Sequence, residues 1–244
     1  MLQKTKGIVL RSVKYGETSL ITTIFTATFG VQAYMVKGVR NPKSKRNKAG
    51  LLQPSTILDL VVYQQPQKNI NRIQELQPAY IYTSLREEII KNSIALFSTE
   101  VLLRLLPEHA IQPELFDFAA GYLIQIDEMK NSDIANFPLY FIIQCSHILG
   151  YTIKGNYSKQ TPYLNLQEGG FSAHPSPLAP HLSDEETQIM HSVLQVHNQT
   201  ELKHIDMNSA MRYKLIEWYI AFLHTHTQHF GVIKSLPILQ AVLH

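Results

Sequence analysis

Lys37, Arg40, Lys43, Lys45, Arg46 and Lys48 put six positive charges into twelve residues with no acid among them. Such a run repels itself unless solvent or an external anion relieves it. The chemistry it offers is phosphate binding, because flexible cations neutralise a polyanion without reading its sequence. Gly38, Asn41, Pro42, Asn47 and Gly50 punctuate the segment, so it reads as a loop. A merely solvated loop is the competing reading of any isolated basic run. Lys4, Lys6, Arg11, Lys14 and Arg72 extend the patch if their strands face the same way. Tyr15, Phe29 and Tyr34 lie near turns or on a mixed strand and are candidates to stack bases. For each ring taken singly, a place in the core is the commoner use.

Bond-making chemistry finds less support. The chain has no phosphate-cradling Gly-Lys-Ser/Thr loop, no Gly-x-Gly-x-x-Gly, no Gly-x-Ser-x-Gly elbow and no His-Glu-x-x-His. Eleven histidines invite a metal, and His224, His226 and His229 are the tightest group. Ligands on one helical face must stand three or four residues apart. His226 and His229 do so, His224 does not join them, and a closed site needs further ligands, so surface or interface histidines are expected. The single cysteine, Cys145, excludes an internal disulfide and a multi-thiolate metal site, and is expected to pack as a small hydrophobe. Glu87 and Glu88 are adjacent and diverge on a helix. No catalytic constellation is visible, although triads assemble from distant positions. The expectation is a nonenzymatic protein with no metal and no cofactor.

Charge separates the chain into two parts. Residues 1–80 hold 12 Lys and Arg against three acids, a net +9, whereas residues 81–244 carry a net −6. An asymmetry of this size implies different partners for the two parts. An apolar fraction of 45% over 244 residues is enough to build a sizeable core, and a charged fraction of 17% is too low for a disordered tail. The N-terminus has no apolar run of signal-peptide length, so secretion by that route is not expected. The uncharged stretch 134–153 contains Asn136, Pro138, Gln144, Ser146 and His147, and reads as a buried helix with a turn rather than a membrane span.

The elements that must carry these residues change type near Pro78. Runs at 6–13, 19–26, 31–36, 56–63 and 70–76 are rich in β-branched and aromatic residues. The run 56–63 reads as a strand buried on both faces. Five short strands in about 75 residues predict a small closed barrel. Ile90, Ile94, Phe97, Val101 and Leu105 then mark one face of a helix that Pro107 stops. Pro113 opens a second helix with Leu115, Phe118, Ala119, Tyr122 and Ile126 on one face, and Asn136 caps a third that ends at Gly150. These three form a bundle. A Pro/Gly-rich stretch at 151–182 holds a small hairpin, Ser183 and Glu186 form a capping box, and a last long helix runs from Ser209 to Phe230, with Gly231 its stop. The expected architecture is α+β: residues 1–80 form a five-stranded OB-fold β-barrel that binds nucleic acid. Residues 81–244 form a helical bundle domain with the hairpin inserted.

Short motifs in order then resemble a known family. Lys4-Thr-Lys-Gly-Ile-Val-Leu-Arg11, Tyr15-Gly-Glu17-Thr-Ser-Leu20, Phe29-Gly30, Lys37-Gly38-Val39-Arg40 and Leu51-Leu-Gln-Pro54 are similar to the bacterial RecO recombination mediators. The match is specific over about the first 75 residues and beyond them rests on helical layout and on 162–171. The resemblance implies an N-terminal OB-fold and a C-terminal helical domain. It implies binding of single- and double-stranded DNA, strand annealing, and help in loading the RecA recombinase onto strands coated by single-strand-binding protein. It implies RecR and the acidic tail of that coating protein as partners, and a cytoplasmic, nucleoid-associated location away from membranes. Phosphate contacts fall to Lys37, Arg40, Lys43, Lys45, Arg46 and Lys48, with Arg11, Lys14 and Arg72 beside them and Tyr34 among the stacking candidates. Arg86, Arg104 and Lys130 are the cations considered for the acidic tail, with no motif to align them.

One departure stands out. Many RecO proteins resemble zinc ribbons in the region of 151–182, with four cysteines, and this stretch has none. His174 and His181 cannot replace four thiolates, so no structural zinc is expected, and Leu164, Leu166 and Phe171 must hold the segment. The alternative function is an interaction scaffold whose basic barrel docks an acidic protein. A hydrolase built on the histidines near 224–229 has little to support it.

Overall fold

The computed structural model describes residues 1–39, 49–65, 68–228 and 230–243. Arg40, Lys43, Lys45, Arg46 and Lys48 of the basic segment, and His229, lie outside the described residues. The chain forms two compact units, Met1–Glu128 and Met129–His244.

The first unit is a closed barrel of five strands with two helices. β1 (Leu2–Tyr15), β2 (Ser19–Thr26), β3 (Gly30–Val36), β4 (Ile57–Tyr63) and β5 (Ile70–Pro78) close in the order β1-β2-β3-β5-β4. All neighbours are antiparallel except β3 and β5. Period-two alternation sends Leu20 and Ile24 of β2 and Tyr34 and Val36 of β3 inward, where they meet Val9, Leu58, Leu60 and Val62. β4 is not buried on both faces, as its apolar run had suggested. Leu58, Leu60 and Val62 point inward while Asp59, Val61 and Tyr63 alternate outward. One face of an antiparallel strand is free to meet solvent, and an outward valine is tolerated there.

Two helices, α1 (Ile89–Leu105) and α2 (Pro113–Glu128), complete this unit. Phe25 of β2 meets Phe116 of α2 edge-on at 5.5 Å between ring centroids. The link between the helices also serves the barrel: His109 N–H donates to the Val31 carbonyl at 3.1 Å, and Glu108 bridges Val31 in parallel. This strap covers the part of β3 that β5 does not reach. Gly30, at φ +67°, makes it possible, since a Cβ there would stand 2.3 Å from the Ala110 carbonyl oxygen.

Asp127, near the end of α2, ties down the chain as it leaves the barrel. Its carboxylate accepts the backbone N–H groups of Thr83, Ser84 and Leu85 and the hydroxyls of Tyr80, Thr83 and Ser84. Lys91 donates to Ser84 Oγ and to the Asp127 carbonyl. Burial alone would raise the Asp127 pKa. The amide and hydroxyl donors outweigh it and hold the carboxyl well below the usual carboxylate range.

The second unit is helical with one small hairpin. Its elements are α3 (Phe137–Ile148), β6 (Tyr163–Asn165), β7 (Gly170–Ser172), α4 (Asp184–Leu194), α5 (Ser209–His226) and α6 (Leu236–Val242), with α4 packed on β6. The three helices expected to bundle together divide between the units, because α3 packs on α4 and α5. Asn136 does not cap α3 with its side chain. Instead it accepts Arg212 Nε–H at 2.9 Å and donates to the Leu202 and Ile205 carbonyls. Gly150 turns the chain at φ +87° just beyond α3, and Ser183 with Glu186 forms the capping box of α4. α5 stops at His226, where Thr227 turns extended, so Gly231 is not its end. Cys145 is buried. Among the described residues, no helix is long and apolar enough to cross a membrane.

Candidate nucleic-acid interface

The strand registers place the outward residues of the barrel in rows. One row runs Arg11–Thr23–Ala33–Ile70 across β1, β2, β3 and β5. The next runs Val13–Ile21–Met35–Arg72–Tyr63–Leu2 and encircles the barrel. Neither row contains an acid. Arg11 and Arg72 both point outward, from strands three steps apart by way of β2 and β3 in the five-strand ring. Between them the surface is aliphatic: Val13 and Ile70 are each 38% exposed, and Ile21 and Met35 are half-buried.

Lys14, Lys37 and Lys68 fringe this face. Lys14 has inward parity, opposite Leu20, yet is exposed, on the part of β1 that pairs with β2 and not with β4. Lys37 follows β3 directly and is exposed, and the flanking Val39 and Leu52 are buried in the barrel core. Lys68 lies in the β4–β5 connection. A buried amide network anchors that connection. Gln32 Oε1 accepts from Gln64 Nε2 at 2.9 Å and Asn71 Nδ2 at 3.1 Å, and Asn71 Oδ1 accepts the Gln65 N–H. Among the described residues none of Arg11, Lys14, Lys37, Lys68 and Arg72 forms an ion pair. Each is therefore free to meet an external anion.

Lys4 and Lys6 belong to a different sector. The rows Lys4–Val61–Glu75 and Lys6–Asp59–Gln77 set acids on the same surface, so that cleft has mixed charge. Tyr34 is a correction to the stacking set. It is fully buried, its hydroxyl donates to Gln32 Oε1, and burial raises its pKa. Its inward parity on β3 gives its ring to the core. Phe29 is half-buried against that core, whereas Tyr15 is 53% exposed. The residues that sequence reading missed are Lys68, Tyr63 and the aliphatic strip. Alternation along β4 was the signal for Tyr63, hidden by the apolar residues on both faces.

The remaining polar groups are engaged elsewhere. His226 Nε2 donates to the Leu166 carbonyl at 2.7 Å, and His224 packs edge-on to Phe230. The hairpin is held by that bond, by buried Leu164 and Leu166, and by Phe171 against the His191 ring. Among the described residues no group of three or more His, Cys, Asp or Glu could hold a metal. Arg86 donates to Thr56 Oγ1 and lies over the Tyr82 ring, Arg104 pairs with Glu100, and Lys130 is exposed.

Comparison with known proteins gives the family. The family model described as "Recombination protein O N terminal" matches residues 1–82, and "Recombination protein O C terminal" matches residues 86–236. The "DNA repair protein RecO" of Azobacteroides pseudotrichonymphae is 30% identical over 99% of both chains. The proteins of the same name from Flavobacterium psychrophilum and Bacteroides fragilis are each 28% identical over 98% of both chains. The chain belongs to the RecO family.

Proposed function

We propose that this chain is a nonenzymatic DNA-binding recombination mediator whose barrel holds single- and double-stranded DNA through phosphates. Its family membership gives it a role in DNA repair and recombination. The finer reading is that it anneals complementary strands and helps load RecA recombinase onto strands coated by single-strand-binding protein. Its partners would be RecR and the acidic tail of the coating protein. It would work in the cytoplasm, on the nucleoid.

The observation that carries this reading is the pair of outward barrel rows that hold Arg11 and Arg72, with Lys14, Lys37 and Lys68 exposed nearby, no acid in either row and, among the described residues, no ion pair occupying these cations. Such a face binds a polyanion by releasing its counterions. Residues 40–48 add five more cations from the sequence. Annealing forms only base pairs, so it requires no catalytic group. The double variant Arg11→Ala/Arg72→Ala tests the reading. For a labelled single strand, two lost phosphate contacts make the log–log salt slope shallower by about 1.4. Annealing of complementary oligonucleotides slows in parallel. Unchanged affinity, slope and annealing rate would overturn the assignment of this face.

A further inference from the structure

We infer that Tyr63 is a stacking platform for one unpaired base, and that it gives the barrel face a preference for single strands over duplex. This rests on the DNA-binding reading above and adds a specificity-determining residue to it. Tyr63 ends β4 and points outward, between Leu2 of β1 and Arg72 of β5 in the same row. It is 45% exposed, and Leu2 is 54% exposed. Among the described residues the Tyr63 ring meets no other ring and its hydroxyl has no hydrogen-bond partner. An aromatic left open between exposed Leu2 and the free cation Arg72 is a surface on which a base can stack, and a tyrosine offers a flat face at low entropic cost.

Arg72 decides which ligand fits. Side chains paired directly across two strands have Cβ atoms about 5 Å apart. A base lying on the Tyr63 ring therefore keeps its flanking phosphate within reach of the Arg72 guanidinium. Tyr15, the other exposed tyrosine of the barrel strands, is followed by Gly16 and the exposed Glu17, whose carboxylate repels a phosphate. Glu75 lies one row beyond Tyr63, and Asp59 two rows beyond. Duplex DNA already stacks its bases against one another and has no free face to offer within the helix. Tyr63 therefore contributes to single-strand binding alone, whereas Arg72 contributes to both forms.

The test uses the full chain with Tyr63→Ala, Tyr63→Phe and Tyr63→Trp, titrated by anisotropy against labelled oligothymidylate and a blunt-ended duplex of two fully complementary strands. Stacking measured by alanine substitution predicts a roughly 5- to 150-fold loss of single-strand affinity for Tyr63→Ala. Duplex affinity stays within twofold, and Tyr63→Phe retains single-strand binding. In Tyr63→Trp the introduced indole is quenched by oligothymidylate, while Trp218, fully buried, keeps its emission. Equal losses for both DNA forms, or no loss and no quenching, overturn the inference while leaving the DNA-binding reading intact. A wild-type chain that binds neither DNA overturns both.

Discussion

Asp127 gathers the backbone donors of residues 83–85 on one carboxylate, so its removal should destabilise the first unit. In Asp127→Ala three backbone N–H groups lose their acceptor. Thr83 is exposed, so water replaces its partner at little cost. The Ser84 and Leu85 amides donate to Oδ1 at 2.8 and 2.7 Å, and Leu85 is fully buried. An orphaned buried amide costs about 1–3 kcal/mol, and a charged acceptor puts these two toward the upper end, so the loss is about 4 kcal/mol. The carboxyl's pKa is depressed on folding, so its contribution is complete above the unfolded value near 4 and is lost as pH falls through it toward the folded value. Urea unfolding followed by circular dichroism, and hydrogen exchange at the amides of residues 83–85, measure both effects. The variant should lose roughly two to three orders of magnitude of amide protection at Ser84 and Leu85. Its stability should also change less than that of the wild type between pH 5 and pH 3. A loss below about 1 kcal/mol with unchanged protection would refute the argument that Asp127 anchors the exit from the barrel.

Two further substitutions probe the scaffold. Gly30→Ala drives a methyl group into the Ala110 carbonyl at positive φ and should destabilise the chain by about 2–4 kcal/mol. Faster proteolysis at residues 107–111 would accompany it, and an unchanged urea midpoint would mean the strap does not seal β3. Asn136→Ala leaves Arg212 Nε without its acceptor and the Leu202 and Ile205 carbonyls without their donor, at about 2–3 kcal/mol. A stability within 0.5 kcal/mol of wild type would show that this contact is not limiting.

Sequence carried the barrel better than it carried the interface. The run Ser19–Thr26 is so dense in β-branched residues that its strand could be read to the residue, and a closed five-stranded barrel followed from strand number and spacing, whereas the order of its strands did not. β1 begins earlier than its pattern suggested, because Gln3, Lys4 and Thr5 are all polar and give a weak signal. Tyr34 and Tyr63 are both strand tyrosines, yet one is fully buried and the other nearly half exposed. Parity decides between them, and parity depends on register, which a single sequence does not display. The helical ends were harder still. α5 ends at His226 although helix-compatible residues continue, and α6 is seven residues long with a proline at its start. Asn136 has the residue type of a cap but serves a buried arginine 76 positions later, a partner no local pattern reveals.

The central claim is that the barrel's free cations meet a nucleic-acid backbone. Fluorescence anisotropy of a labelled single strand, titrated with the wild-type chain across a salt series, tests it most directly. Five or six phosphate contacts predict a log–log slope between about −3.5 and −4, with little dependence on base sequence. No binding at low salt, or binding whose affinity is insensitive to salt, would contradict the claim.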